Sequence, residues 1–560
     1  EIYIQECSRI MDISEQVLVS TLAQLVQKDI SELGKKQKQE QKVFEVVKNE
    51  TPIKVQKYFL SEIISKFSFL HFFSLLTVYC LLTTTYTFSQ TITKSSLDKV
   101  ASRFSDYEIL GRNSAGIIVH YFGNNESELV AYDHQLKPTL RKQLPFKGKG
   151  ISLENFILLN DKILAFYTTN GENYQYFKLK ILDEKLNIPD ETILLDSISL
   201  TSVGNTKAFY VKTSPDKSKI LTFSILKTKA AYFIRFNILS DSIRRLNKNV
   251  FSVTEANDAA LKSIKINNEG SVIAVVGNEN KYDFSDYNYE RFTILTFNRS
   301  TNTIGEQVMQ QQDYVYKNLI SEVSTKREIA YITASYKNTK NKSDIGIAYQ
   351  IIDLRTNTIL LNSTMPFNDE ILQKSQTNDF KTWQDKAALV KPKRIVPRSD
   401  GGFVLITEGE YKFTKAERLN NFNNTGYYNS TPLSPSVKYI DQNHFYDIGV
   451  FSINNDGTVD WQTNMPKAQV SENDDGYYSS FAFFEANNVL KFLYNEDFYN
   501  TGNFSEYNVN PNGLTKRQSV MNSEKQDVVL VPMKAKQLDG NTIIIPSEQK
   551  RNVQLVLFQY

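Results

Sequence analysis

Cysteine and histidine are scarce in this chain. Its 560 residues include two cysteines, Cys7 and Cys80, and four histidines, His71, His120, His134 and His444. No Cys-x-x-Cys or His-x-x-x-His spacing occurs, so the ligand sets of structural zinc are excluded and no metal site is expected. The whole chain after Cys80 lacks a thiol. A long β region of that kind suits bacterial export, where disulfides are permitted but not required. The net charge of +3 gives no electrostatic case for nucleic acid or an anionic membrane surface. The nucleophile elbow, P-loop, dinucleotide fingerprint and zinc-protease helix are absent too, so no cofactor or catalytic residue is assigned.

Long apolar runs are also rare, with one exception. Phe67 to Gln90 (FSFLHFFSLLTVYCLLTTTYTFSQ) contains no Asp, Glu, Lys or Arg. Lys66 stands ahead of it, and Thr87 and Ser89 put small residues at −3 and −1 before Gln90. That is the layout of a secretory signal. The run is long enough to cross a bilayer, and a buried core helix is the remaining reading. Thr83, Thr84, Thr85 and Thr87 dilute its second half and favour cleavage near Ser89–Gln90 over a permanent anchor. Tyr79 is too bulky for a lipoprotein site at Cys80. The expectation is export to the periplasm, outer membrane or cell surface, with membrane contact only through residues 67–88 if the segment stays uncleaved.

Ahead of this run, Ile2, Ile4, Ile10, Ile13, Val17, Leu18, Leu22, Leu25 and Val26 recur at largely helical spacing, followed by the solvated stretch GKKQKQEQK at 34–42. The segment IYIQECSRIMDISEQVLVSTLAQLVQKDI (Ile2 to Ile30) resembles the region after the catalytic core of Bacteroidetes-type bacterial DNA primase. It carries neither the zinc-binding cysteines nor the acidic metal-binding core, so primase chemistry is carried over to no residue. The sequence begins at Glu1 and has no methionine between Met11 and Met309, which leads us to expect a joined remnant of another reading frame or a fusion. The expected organisation is a helical primase-like remnant at 1–50, a linker and signal or anchor at 51–90, and a β domain at 91–560.

From about Ser105 the pattern becomes short strands separated by turn residues. GIIVHYFG (116–123), DKILAFYTT (161–169), AAYFIRFNIL (230–239) and GIAYQIIDLRTNTIL (346–360) are examples. The unit is strand, turn, strand, longer loop, strand ending in Asp or Asn, turn, strand. It predicts a mainly β fold, a seven- or eight-bladed β-propeller preceded by the helical segment and the hydrophobic helix, with an irregular sandwich pair as the alternative. The last strands, in 541–558, are expected to close the ring. PRSDGGFVLITEG (397–409) and DIGVFSINNDGTVDWQTNMPK (447–467) together resemble a repeat of secreted bacterial propellers. That resemblance implies a tight turn at Gly401-Gly402 and a Trp461 packed between blades. SPDKSKIL (214–221) resembles the turn and strand of TolB-like periplasmic propellers, with Lys217 where glycine is usual. These motifs speak to fold and are almost silent on function.

Residues 410–446 interrupt the repeat, far beyond the length of a hairpin turn, and are read as an inserted loop. Its stretch NNFNNTGYYNSTPLSPSVKYIDQNHFYD (420–447) is rich in Tyr, Asn, Ser and Gly, a composition used by adaptable binding loops. With YYSSF (477–481), the tyrosines Tyr427, Tyr428, Tyr446, Tyr477 and Tyr478 are the candidate binding residues for a protein or glycan ligand. The acidic stretch SENDDG (471–476) lacks the alternating spacing of a calcium loop and reads as a solvated turn. His120 and His134 read as strand and turn residues. The functional expectation is an exported non-enzymatic binding or scaffold protein; the alternatives are a polysaccharide hydrolase or lyase, or a chain bearing a primase name through residues 1–50 alone.

Overall fold

The computed structural model describes residues 90–98, 104–123, 126–146, 148–203, 208–228, 231–254, 259–279, 289–367, 390–419, 436–496, 502–522, 528–549 and 552–560. The expected N-terminal helices, the apolar run up to residue 89, and Tyr427 and Tyr428 lie outside them. No helix among the described residues is long and apolar enough to cross a membrane. The chain falls into two compact units. The terminal unit takes the described residues up to 203, then 481–487 and those from 522 on; the central unit takes 208–480 and 488–521.

In the terminal unit, β1 (Thr91–Lys94) precedes two four-stranded antiparallel meanders. The first is β2 (Asp106–Asn113), β3 (Gly116–Gly123), β4 (Glu126–Tyr132) and β5 (Pro138–Gln143). The second is β6 (Ile151–Leu159), β7 (Lys162–Asn170), β8 (Tyr174–Leu182) and β9 (Ile193–Ser199), ending in a single helical turn at Leu200–Val203. The central unit repeats the plan with β10 (Phe209–Thr213), β11 (Lys219–Lys227), β12 (Ala231–Ser240) and β13 (Arg245–Thr254). Next come β14 (Ala259–Ile266), β15 (Val272–Glu279), β16 (Tyr289–Asn298) and β17 (Thr303–Met309). These are bridged at Tyr289–Tyr316 to β18 (Tyr314–Val323), β19 (Ile329–Asn338), β20 (Ile345–Asp353) and β21 (Thr358–Pro366). The fourth central sheet has β22 (Val390–Pro397), β23 (Phe403–Leu419), β24 (Ser436–Ile453) and β25 (Val459–Met465), with β26 (Gln469–Glu472) beside β24. After β27 (Ala482–Ala486) of the terminal unit, β28 (Val489–Asn495), β29 (Asn503–Val509) and β30 (Thr515–Asn522) follow in the central unit. The chain ends with β31 (Lys536–Gln537), β32 (Thr542–Gln549) and β33 (Asn552–Gln559).

The fold is therefore mainly β and propeller-like, a succession of four-stranded antiparallel meanders. Middle strands such as β3 and β20 are buried on both faces and read as continuous apolar runs. Fourth strands such as β13 and β17 alternate between exposed and buried, because one face meets solvent. Phe236 meets Phe251 of its own sheet at a ring distance of 4.8 Å and Phe297 of the next central sheet at 5.4 Å. The final sheet of the terminal unit runs β1-β33-β32-β31. The sequence reading assigned its closure to the last strands alone, whereas Thr91–Lys94 supplies the edge next to β33, with Thr91 opposite Gln559.

Several sequence signals keep their expected roles. Gly401 takes φ +94° in the turn that enters β23, a conformation open to glycine. Lys217 takes the same left-handed region at φ 60°, held by Lys217 N–H donating to Ser214 O at 2.9 Å. The Trp461 indole N–H donates to Pro511 O at 2.9 Å, in the turn before β30, so this tryptophan joins two neighbouring sheets.

Candidate binding arm

The described parts of the segment read as an inserted loop, 410–419 and 436–446, are instead strands. β22 accompanies β23 only as far as the pair Val390–Gly409, and β25 accompanies β24 only as far as Met465–Ile448. Beyond that point β23 and β24 continue with each other, in unbroken register from Glu410–Phe445 to Leu419–Ser436. At about 3.4 Å per residue this outer part is about 34 Å long. The register shifts between Glu408 and Glu410, where Tyr446 and Asp447 of β24 face the single Gly409 of β23, so a bulge in β24 marks the point where the strands leave the sheet. A Cβ on Gly409 would lie 2.9 Å from Tyr446 Cβ, so glycine lets the tyrosine lie across the strand. The arm escaped sequence detection because both of its faces carry polar residues, which erases the in-out alternation of a half-buried strand.

The base of the arm holds a buried charge network. Glu408 and Lys467 are both fully buried and sit 2.8 Å apart through Oε1 and Nζ. Ser480 Oγ donates to Glu408 Oε2 at 2.6 Å, and Lys393 Nζ lies 3.4 Å from the same oxygen. Lys391 and Lys393 reach Glu410 at 2.8 and 2.9 Å. Lys467 Nζ also donates to Gln469 Oε1 at 2.8 Å, and its backbone N–H donates to Asp447 Oδ1 at 3.0 Å. Burial pushes the Lys467 ammonium below the usual lysine range despite Glu408. At Glu410, burial alone would raise the carboxyl, but Lys393 and Lys391 outweigh it and hold it below the usual range. Burial raises Asp447, against its hydrogen bonds from Lys467 and Asn464. The geometry is that of an anchor: it ties β22, β23, β24 and the segment around 467–480 together at the point where two strands leave the sheet. Charged residues inside apolar strands, such as Lys393 and Glu408, were the available signal, and the sequence reading passed over it.

The acidic stretch after β26 forms a turn folded against the arm. Asn473 N–H donates to Asp441 O at 2.8 Å, and Lys412 pairs with Asp475 at 2.7 Å. No cluster of potential metal ligands occurs among the described residues.

One face of the arm carries a row of rings set by the register, which places Tyr411 opposite His444. Tyr446 and His444 are 5.9 Å apart, His444 and Tyr411 6.0 Å, and Tyr411 and Phe413 6.4 Å. The row is graded: Tyr446 is buried at 7% exposure and shares a 3.1 Å hydrogen bond with His444 Nδ1, whereas Phe413 is 42% exposed. On the other face Tyr439 is 69% exposed. Of the candidate residues, Tyr446 thus roots the row from inside. Tyr477 and Tyr478 are half-buried and pack edge to face at 5.2 Å beside the anchor, in the turn that carries Ser480. Among the described aromatic residues of the arm, the exposed ones are Phe413 and Tyr439, which the sequence reading did not select, and Tyr411 is half-buried.

No protein-family model matches the chain, and no curated protein matches it in sequence. Among solved structures it is similar to the polysaccharide lyase Uly1, with 9% identity, a TM-score of 0.34, and coverage of 84% of this chain and 99% of that one. BBS1N in complex with ARL6DN shows 11% identity and a TM-score of 0.31, covering 84% and 96%. A mutant of the Synechocystis apocarotenoid oxygenase shows 9% identity and a TM-score of 0.28, covering 62% and 69%. Likenesses this slight carry neither fold detail nor function.

Proposed function

We propose that the chain is an exported, non-enzymatic binding or scaffold protein, an eight-bladed propeller whose recognition element is the β23–β24 arm. The observation that carries this reading is the arm itself. Ten residue pairs extend beyond the sheet, rooted in a buried ionic anchor and bearing exposed Phe413 and Tyr439. Exposed aromatics on a rigid projection suit contact with a protein or glycan partner. The count of successive meanders supports eight blades, and the signal layout of 67–90 supports export. In this reading the segment at 1–50 is a primase-derived fragment, joined from another reading frame or fused.

The test is binding of the full chain to soluble polysaccharides and extracted envelope proteins, with and without Tyr411→Ser and Phe413→Ser together. A loss of at least tenfold in affinity at an unchanged melting temperature is expected. Undiminished binding would move recognition away from the arm. N-terminal sequencing from fractionated native cells tests export, with a start at or near Gln90 in an envelope fraction expected.

A further inference from the structure

Among the described residues, the outer half of β23 has β24 as its sole strand neighbour. Its opposite edge therefore presents a row of backbone N–H and C=O groups, a ready template for another strand. We propose that this edge pairs with the same edge of a second copy of the chain, antiparallel and centred on Ala416.

The register follows from symmetry and charge. Residues directly opposite in an antiparallel ladder share a face, and a two-fold axis through such a ladder passes at a residue paired with its own copy. Centres at Lys412 or Lys415 set like charges against each other on the axis, which is unfavourable. A centre at Ala416 sets Lys415 of each copy opposite Glu417 of the other, with a small side chain on the axis. In the single chain Lys415 and Glu417 already touch at 2.8 Å, and Lys415 and Ala416 are exposed. Pairing turns that contact into a ring of four alternating charges. A centre at Phe413 offers no pair of opposite charges, and centres at Tyr411 and Thr414 offer one only through Glu410, which Lys391 and Lys393 already hold. The same two-fold places the Tyr411–Phe413 rows of both copies on one side of a continuous four-stranded ribbon. The edge proposal does not depend on what those rows bind.

An edge-to-edge ladder buries less than a standard interface of about 1,200–2,000 Å², so the association is weak and must be followed over a concentration series. Sedimentation velocity on the full chain is expected to show a concentration-dependent monomer–dimer equilibrium. Lys415→Glu alone and Glu417→Lys alone each put like charges opposite and are expected to weaken the dimer at least tenfold. Mixing the two variants sets Glu opposite Lys at both pairs and restores association. Ala416→Cys is expected to give an interchain disulfide that the parent chain lacks under the same oxidation. A monomer throughout the series overturns the proposal. So does a dimer indifferent to both charge changes, or a mixture no stronger than its components.

Discussion

Replacing Lys467 by Met tests whether the buried pair at the base of the arm is an anchor. The substitution keeps most of the side-chain volume and removes the ammonium, leaving Glu408 fully buried with Ser480 Oγ at 2.6 Å and Lys393 at 3.4 Å. Breaking a buried pair from one side typically costs about 3–5 kcal/mol, because a charge remains without its partner. Lys393 compensates in part, which places the expected loss near 3 kcal/mol. Removing both charges in Glu408→Leu/Lys467→Met leaves Ser480 Oγ and part of Gln469 to rearrange while Lys393 keeps Glu410 at 2.9 Å, about 1–2 kcal/mol in total. The double variant should thus be more stable than Lys467→Met alone. Urea unfolding followed by tryptophan fluorescence reports this locally: the chain has two tryptophans, and Trp383→Phe leaves Trp461, bonded to Pro511 in the same unit. A single-variant loss under about 1 kcal/mol, or a double variant costing the sum of both singles, would refute the argument.

Three further outcomes follow from the same geometry. Gly476 sits at φ +77° with a Cβ position 2.5 Å from the Phe445 ring, so Gly476→Ala should cost about 1–3 kcal/mol and free the turn from the arm, read by unfolding and by amide exchange at Asn473. In the terminal unit, Asp98 accepts from Arg141 Nη2 at 2.5 Å and Tyr132 Oη at 3.0 Å, so Asp98→Ala should cost about 1–3 kcal/mol at neutral pH in a thermal or urea midpoint. The Glu410 carboxyl is held below its ordinary value of 4.5, so its stabilising contribution is complete above that value and fades as pH falls through the lower folded value. Glu410→Gln should therefore flatten the acid limb of a stability–pH profile, and an unchanged limb would assign acid sensitivity elsewhere.

What the sequence disclosed depended on whether a residue's local requirement matched its place in the fold. Gly401-Gly402 and Trp461 were readable because a tight turn demands φ > 0 and an indole seeks both an apolar wall and an acceptor. GIIVHYFG was readable because β3 spans Gly116–Gly123, buried on both faces. The hairpins from third to fourth strand were readable at Asp133 and Asp183, whose carboxylates accept from backbone N–H groups two and four residues on. Their left-handed residues were not, since Leu136, Leu186 and Ile243 hold φ near 60° where a glycine would have announced the turn. Such strained leucines persist because the turn is over-determined: Leu136 and Leu186 are fully buried and their N–H groups are bonded back to Asp133 and Asp183. The arm was illegible for the opposite reason. Its outer strands are buried only in part, at Ile440, Asn443 and Phe445 on the β24 side, so their pattern carries no regular alternation, and what fixes them is the register inherited from the sheet, the β26 pairing and the charges at Glu408 and Lys467. Composition drew attention to tyrosines, but among the described residues of the arm the exposed rings are Phe413 and Tyr439, because alternate positions of two paired strands decide which rings meet solvent.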